Sequence, residues 1–331
     1  MNENNEKRKI FLTSLIPMAV SVIIYLCVKI PSHRLSLIDI ISINNLLYSG
    51  LLFPPELCII FMFLLCLLML IFMFLPVKSS VNSVLYTLQI CGAGYFFIEI
   101  FYQFIHFAIP VPPGSTWISH WINNINMYLL HRSHQYIGLI FMLIVFFRTP
   151  SQREGSTLCG GNINYISGFL DPRKPVPWKY IALKLAGYFF IFSIMAFLLR
   201  HKSGLVLQNL YMIVPLFLGA LNNSFIEELL FRGIFLSRFK SVIDEKYANY
   251  LQALLFGLFH SQFIYLSIAL SSGDTKGFFI GLLIQTGILI IYTFIGWIFG
   301  RASLETKGIG LSTFMHTCIV MAIYLSKGIV Y

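Results

Sequence analysis

The sequence predicts an all-α polytopic membrane protein of about nine transmembrane helices, the last four forming a C-terminal block. Three observations carry that expectation: 57% of the 331 residues are apolar, only 11% are charged, and the mean hydropathy is +0.79. Soluble domains run about 45–50% apolar and about 25% charged, so an ordinary globular protein is excluded. Disorder is excluded too, because it needs low hydrophobicity and high net charge. Five of the six cysteines (Cys27, Cys58, Cys66, Cys91, Cys318) lie inside apolar runs and Cys159 sits in a polar loop. All six are expected as reduced, small apolar residues. The net charge of +10 comes from basic residues spread thinly between apolar runs. That pattern marks topology in a lipid bilayer, and no nucleic-acid partner is expected.

A helix crosses the hydrocarbon with about 20 predominantly apolar residues. Runs of that kind occupy 10–30, 57–76, 82–108, 126–147, 179–199, 208–236, 248–270, 277–300 and 309–327. The first follows Lys7-Arg8-Lys9 and is too long for a cleaved signal segment. Segment 35–52 is interrupted by Asp39, Asn44 and Asn45, so it reads as a re-entrant or interfacial helix. The fourth run carries His131, Arg132 and His134 in its first half. With a cytoplasmic N-terminus, fourteen Lys and Arg fall on inside segments and six on outside ones, which favours that orientation. Loop 148–178 has Gly clusters and then DPRKPVP, an irregular connection. It divides an N-terminal region, 1–178, of about four spans from a C-terminal region, 179–331, with its own leading span.

The sixth run reads LYMIVPLFLGALNNSFIEELLFRGIFLSRF, placing Glu227, Glu228 and Arg232 within six residues. Each charge at mid-membrane costs about 2.5–3.5 kcal/mol, so each is a functional hypothesis by default. Glu228 and Arg232 stand at i, i+4 and can pair within the helix. Glu227 is turned about 100° away, with Asn223 one turn earlier on its own face. Two readings stay open: a buried ion network that fixes helix packing, or one structural carboxylate and one free for chemistry. His260 and His316 join them from the seventh and ninth runs. At 1.5 Å per residue, Glu227, His260 and His316 lie about 13, 18 and 10 Å from the cytoplasmic ends of their spans. The three share a level reachable from the cytoplasm.

Glu227-Glu228-x-x-x-Arg232 within IEELLFRG, Phe256-x-x-x-His260 and the late His316 resemble the CPBP or Abi family of intramembrane proteases, which are similar to type II CAAX prenyl endopeptidases. The resemblance covers about residues 179–331. It implies a helical bundle around a cytoplasm-facing polar cavity, making the C-terminal block catalytic. It also implies endoproteolysis of a membrane protein or peptide substrate. By this resemblance Glu227 is the general base that activates water, His260 orients that water, Glu228 and Arg232 hold the site, and His316 stabilises the oxyanion. The family places Asn or Asp four residues after the last His, where this chain has Val320. Losing one such donor costs about 10²–10³ in rate, with Asn222, Asn223 or Thr313 as candidate substitutes.

Peptide hydrolysis needs a base near water, a group that receives charge at the carbonyl, and a proton donor for the amine. Glu227, His260 and His316 supply these without a cofactor. Zinc is the alternative, since two His and one Glu also make a metalloprotease ligand set. The chain lacks the HExxH pairing of such enzymes. Glu99, Gln103 and His106 share one face of the third run, as a buried polar stripe, a substrate route or a partner for Arg132. His120, His131 and His134 lie near the outer surface with Trp117 and Trp121, as interfacial side chains or a metal site. Two other functional classes remain. One is a catalytically silent scaffold, chaperone or immunity protein, which Val320 favours. The other is a proton-coupled transporter, against which the chain shows no internal repeat.

Overall fold

The computed structural model describes residues 3–28, 55–76, 78–108, 136, 138–140, 142–144, 158–200, 213–261 and 275–327. Segment 35–52, most of run 126–147, and His120, His131 and His134 lie outside the described residues. So do the side chains of Cys27, Cys58, Glu99, Gln103 and His106. The described chain is almost wholly helical, as its composition predicts. Helices α1 (Glu3–Val28), α2 (Pro55–Phe74) and α3 (Ser79–Ala108) come first. Strands β1 (Ile166–Ser167) and β2 (Val176–Pro177) then precede α4 (Trp178–Arg200) and α5 (Ile213–Glu228). The chain of α5 continues as a π-helix, Leu229–Leu236, and as α6 (Ser237–Lys240). Helices α7 (Glu245–Ser261), α8 (Thr275–Thr306) and α9 (Gly310–Lys327) complete it. Among the described residues, Ser79–Ile98 and Lys276–Thr306 are long and apolar enough to cross a membrane, and Ile59–Phe74 and Gly310–Ile323 are shorter apolar helices. Phe279, Leu283, Ile290, Ile291 and Phe294 of α8 are exposed, a surface suited to hydrocarbon rather than water.

The chain divides into two compact units. Unit 1 comprises Met1–Pro110, Ser133–Pro150 and Arg238–Trp297. Here α1, α2 and α3 pack on one another, with Leu65, Cys66, Met69 and Leu85 as core and Ile10, Phe11, Leu15 and Met18 laid against them. A buried polar knot crosses that core: Gln89 Nε2 donates to Cys66 Sγ at 3.3 Å, and Ser14 Oγ lies 3.8 Å from the same sulfur. Cys66, Cys91, Cys159 and Cys318 are free thiols, as expected. Helices α7 and α8 touch backbone to backbone, since a Cβ on Gly257 would lie 2.9 Å from the Leu289 carbonyl oxygen. Gln252 Nε2 donates to the Gly296 carbonyl at 2.9 Å across that contact. Small residues and one amide do here what apolar burial does in water.

Unit 2 comprises Val111–Arg132, Ser151–Ser237 and Ile298–Tyr331. Helix α9 packs against α4 and α5. Part of the loop expected to be irregular is an antiparallel hairpin, pairing Ile166 with Pro177 and Ser167 with Val176. Two-residue strands carry no sequence period, which is why the loop gave no strand signal. Asp171 makes the turn, its carboxylate accepting from the Arg173 N–H at 2.9 Å. The hairpin is anchored by Trp178, whose side chain is fully buried and whose Nε1–H donates to Glu305 Oε2 at 2.7 Å. Arg301 Nε holds the other oxygen of Glu305 at 2.7 Å and its guanidinium lies over Phe169.

A strap before the hairpin clamps the α8–α9 turn. The Ile309 N–H donates to the Cys159 carbonyl at 2.9 Å, and the Asn162 N–H donates to that of Thr306 at 2.7 Å. Gly161 is needed there, because its φ of +80° is open to few other residues and a Cβ would meet the Thr306 oxygen at 2.9 Å. Glu305→Ala tests the anchoring. It leaves the buried Trp178 indole N–H without an acceptor, a defect of about 1–3 kcal/mol. The expected result is a lower unfolding midpoint in detergent, while Arg301→Ala, with a half-exposed side chain, changes it little.

Candidate active site

The polar residues of the sixth run gather in unit 2, at the junction of α5 with the π-helix. Helix α5 ends at Glu228, and Leu229–Leu236 continues with π hydrogen bonding rather than the α geometry expected from the sequence. Single π turns inside α-helices are rare and concentrate at functional sites. This one shifts the hydrogen-bond register without altering the apolar pattern, so the sequence carried no signal for it. The i, i+4 pairings survive. Arg232 Nη1 contacts Glu228 Oε1 at 2.7 Å with both side chains fully buried. Asn223 Nδ2 donates to Glu227 Oε1 at 2.8 Å.

His316 reaches these carboxylates from α9. Its Nδ1 lies 2.9 Å from Glu228 Oε1, the oxygen that Arg232 also holds. The oxygen that accepts from the Arg232 guanidinium accepts from His316 as well, so Nδ1 is the donor of that bond. The other ring nitrogen, Nε2, is 3.6 Å from Glu227 Oε2. That separation exceeds direct hydrogen-bond length. The ring nitrogen and the Glu227 carboxylate therefore lie side by side without a direct bond. Phe299, which the sequence did not single out, lies 5.5 Å from the His316 ring and 5.2 Å from the Arg232 guanidinium. It supplies an apolar wall and a cation–π contact.

Unit 2 thus brings together Asn223, Glu227, Glu228, Arg232 and His316. His260 belongs to unit 1. There its Nδ1 lies 2.9 Å from the Phe256 carbonyl oxygen one turn earlier, and its ring stacks on Tyr292 with centroids 4.8 Å apart. A carbonyl only accepts, so Nδ1–H donates to it. The FxxxH spacing thereby fixes the Nδ1 proton as well as the position of the ring. Val320 is buried on α9, one turn beyond His316. Thr313, a candidate to replace the missing donor, points its hydroxyl at the Ile309 carbonyl, 2.8 Å away.

The family comparison matches residues 208–322 to the type II CAAX prenyl endopeptidase Rce1-like family. No characterised protein and no solved structure matches the chain. The matched stretch contains Glu227, Glu228, Arg232, His260 and His316, the residues that carry the sequence resemblance. Members of that family are membrane proteins, and the apolar helices accord with it. At family level the match supports a CAAX-protease-like membrane endopeptidase. The match over residues 208–322 supports membership of the CPBP/Abi family.

Proposed function

We propose that the protein is a multi-pass intramembrane glutamic endopeptidase of about nine spans, N-terminus in the cytoplasm, cutting a membrane-anchored protein or peptide from the cytoplasmic side. The observation that carries this reading is the split between two adjacent carboxylates. Glu228 meets Arg232 and His316 through one oxygen, whereas Glu227 accepts from Asn223 and holds its other oxygen 3.6 Å from His316 Nε2. In the proposed reaction Glu227 takes a proton from water as the oxygen attacks the scissile carbonyl carbon. His316, held at Nδ1 by Glu228, donates from Nε2 to the oxyanion. Glu227 then returns its proton to the leaving amine as the C–N bond breaks. His260 orients the attacking water through Nε2, a role taken from the family motif.

Val320 supports a second reading, a catalytically silent member that acts as a scaffold, chaperone or immunity protein. The two readings separate on protein reconstituted in vesicles with a membrane-anchored peptide library. Cleavage is expected and is expected to persist with a zinc chelator. Cleavage that stops with chelator and returns with added zinc would make Glu227 and the histidines metal ligands instead. Intact substrates throughout would favour the silent reading.

A further inference from the structure

In the proposed hydrolysis His316 donates to the oxyanion, and Val320 occupies the position where the family's second donor, Asn or Asp, is expected. The described hydroxyls of α9 do not replace it. Thr313 and Thr317 donate to the carbonyls of Ile309 and Thr313 at 2.8 and 2.7 Å, and Ser312 donates to that of Ile309 at 2.9 Å. Such bonding to the preceding turn is the usual resting place of a hydroxyl in an apolar helix. Ser224 departs from it. The residue is fully buried, and its Oγ has no hydrogen-bond partner among the described residues.

Ser224 stands four residues before Glu228 and three before Glu227, so on α5 it lies between the two and closer to the face of Glu228. Glu228 meets His316 of α9 on that face, so Ser224 is directed toward α9 one turn away. The strap shows which way the two helices run. Leu158 packs on Gly233, where a Cβ would lie 2.7 Å from its Cδ2. The next two residues, Cys159 and Gly160, accept from the N–H groups of Ile309 and Gly310 at the start of α9. The end of the π-helix and the beginning of α9 are therefore neighbours, and α5 and α9 are antiparallel. Moving away from the strap, one turn past Glu228 is Ser224 and one turn past His316 is Val320, each about 6 Å along its helix. The unpartnered hydroxyl comes level with the side chain that lacks a donor.

We propose that Ser224 is a further catalytic residue whose hydroxyl takes the place of the group missing at Val320 and donates a hydrogen bond to the oxyanion. The proposal rests on the endopeptidase reading. No covalent bond to Ser224 forms or breaks; its proton stays on Oγ while the carbonyl oxygen gains and then loses charge. The hydroxyl is covered in the resting structure, so it meets the oxyanion only after the substrate chain has entered beside α5. Carrying an unbonded buried hydroxyl opposes stability, and a donor held for the transition state gives that cost a function.

The test uses full-length protein in vesicles, a cleaved peptide substrate, and Glu227→Gln as control. Ser224→Ala is expected to lower kcat about 100- to 1,000-fold with KM little changed. Its melting temperature should not fall, because alanine keeps the packing and removes a group that makes no bond. Adding Val320→Asn to Ser224→Ala should recover at least about tenfold of the rate. A purely structural serine would move the melting temperature and leave kcat alone. Wild-type kcat in Ser224→Ala, with Glu227→Gln inactive, overturns the Ser224 proposal and leaves the endopeptidase reading standing. Absence of Glu227-dependent cleavage overturns both.

Discussion

Glu227→Gln is expected to lower kcat for peptide cleavage by about 100- to 10,000-fold, the range that a positioned general base contributes. Glutamine keeps the shape of the side chain, and its amide oxygen still accepts from Asn223 Nδ2, now 2.8 Å from Glu227 Oε1. It cannot take a proton from water. The fold should therefore persist while the chemistry stops. Purified variant and wild type are compared by steady-state cleavage and by melting in the same detergent. A loss of rate accompanied by an equal loss of folded protein would assign Glu227 to structure rather than chemistry.

Arg232→Ala is expected to show the opposite division. Arg232 and Glu228 have no exposure, and Arg232 Nη1 contacts the oxygen that also receives His316. Removing the guanidinium leaves a carboxylate buried beside an imidazole and opens a void against Phe299. Breaking one partner of a buried pair costs about 3–5 kcal/mol, so the expected result is low yield and an early unfolding transition. Replacing both partners, Glu228→Gln with Arg232→Met, removes the orphaned charge and should recover part of that loss. Stability is read from denaturant midpoints in one detergent. A double variant less stable than the sum of the singles would mean that the pair does not act as a unit.

The two pairings at the centre of the site were legible because helix geometry is local. Asn223 with Glu227, and Glu228 with Arg232, follow from a spacing of four. The meeting of His316 with the carboxylates was foreshadowed by depth alone, which sets a level and not a partner. Phe299 was hidden because an aromatic in an apolar span has no pattern to distinguish it. The π-helix was hidden for another reason: changing backbone hydrogen-bond partners leaves composition and hydropathy untouched. Trp178 and Glu305 are 127 residues apart, and no periodicity links such positions. Abundant helix was written into the composition. The number of spans depends on where each helix meets lipid, and two described helices satisfy length and apolarity together.

In the proposed function Glu227 makes this protein a peptide-bond hydrolase in the membrane. The most direct test of that role is a mass-spectrometric comparison of the peptides produced by cells carrying wild type and cells carrying Glu227→Ala at matched membrane abundance. A defined set of fragments is expected with wild type and not with the variant, whose uncut precursors accumulate in the membrane. Identical peptide profiles from the two strains would contradict it.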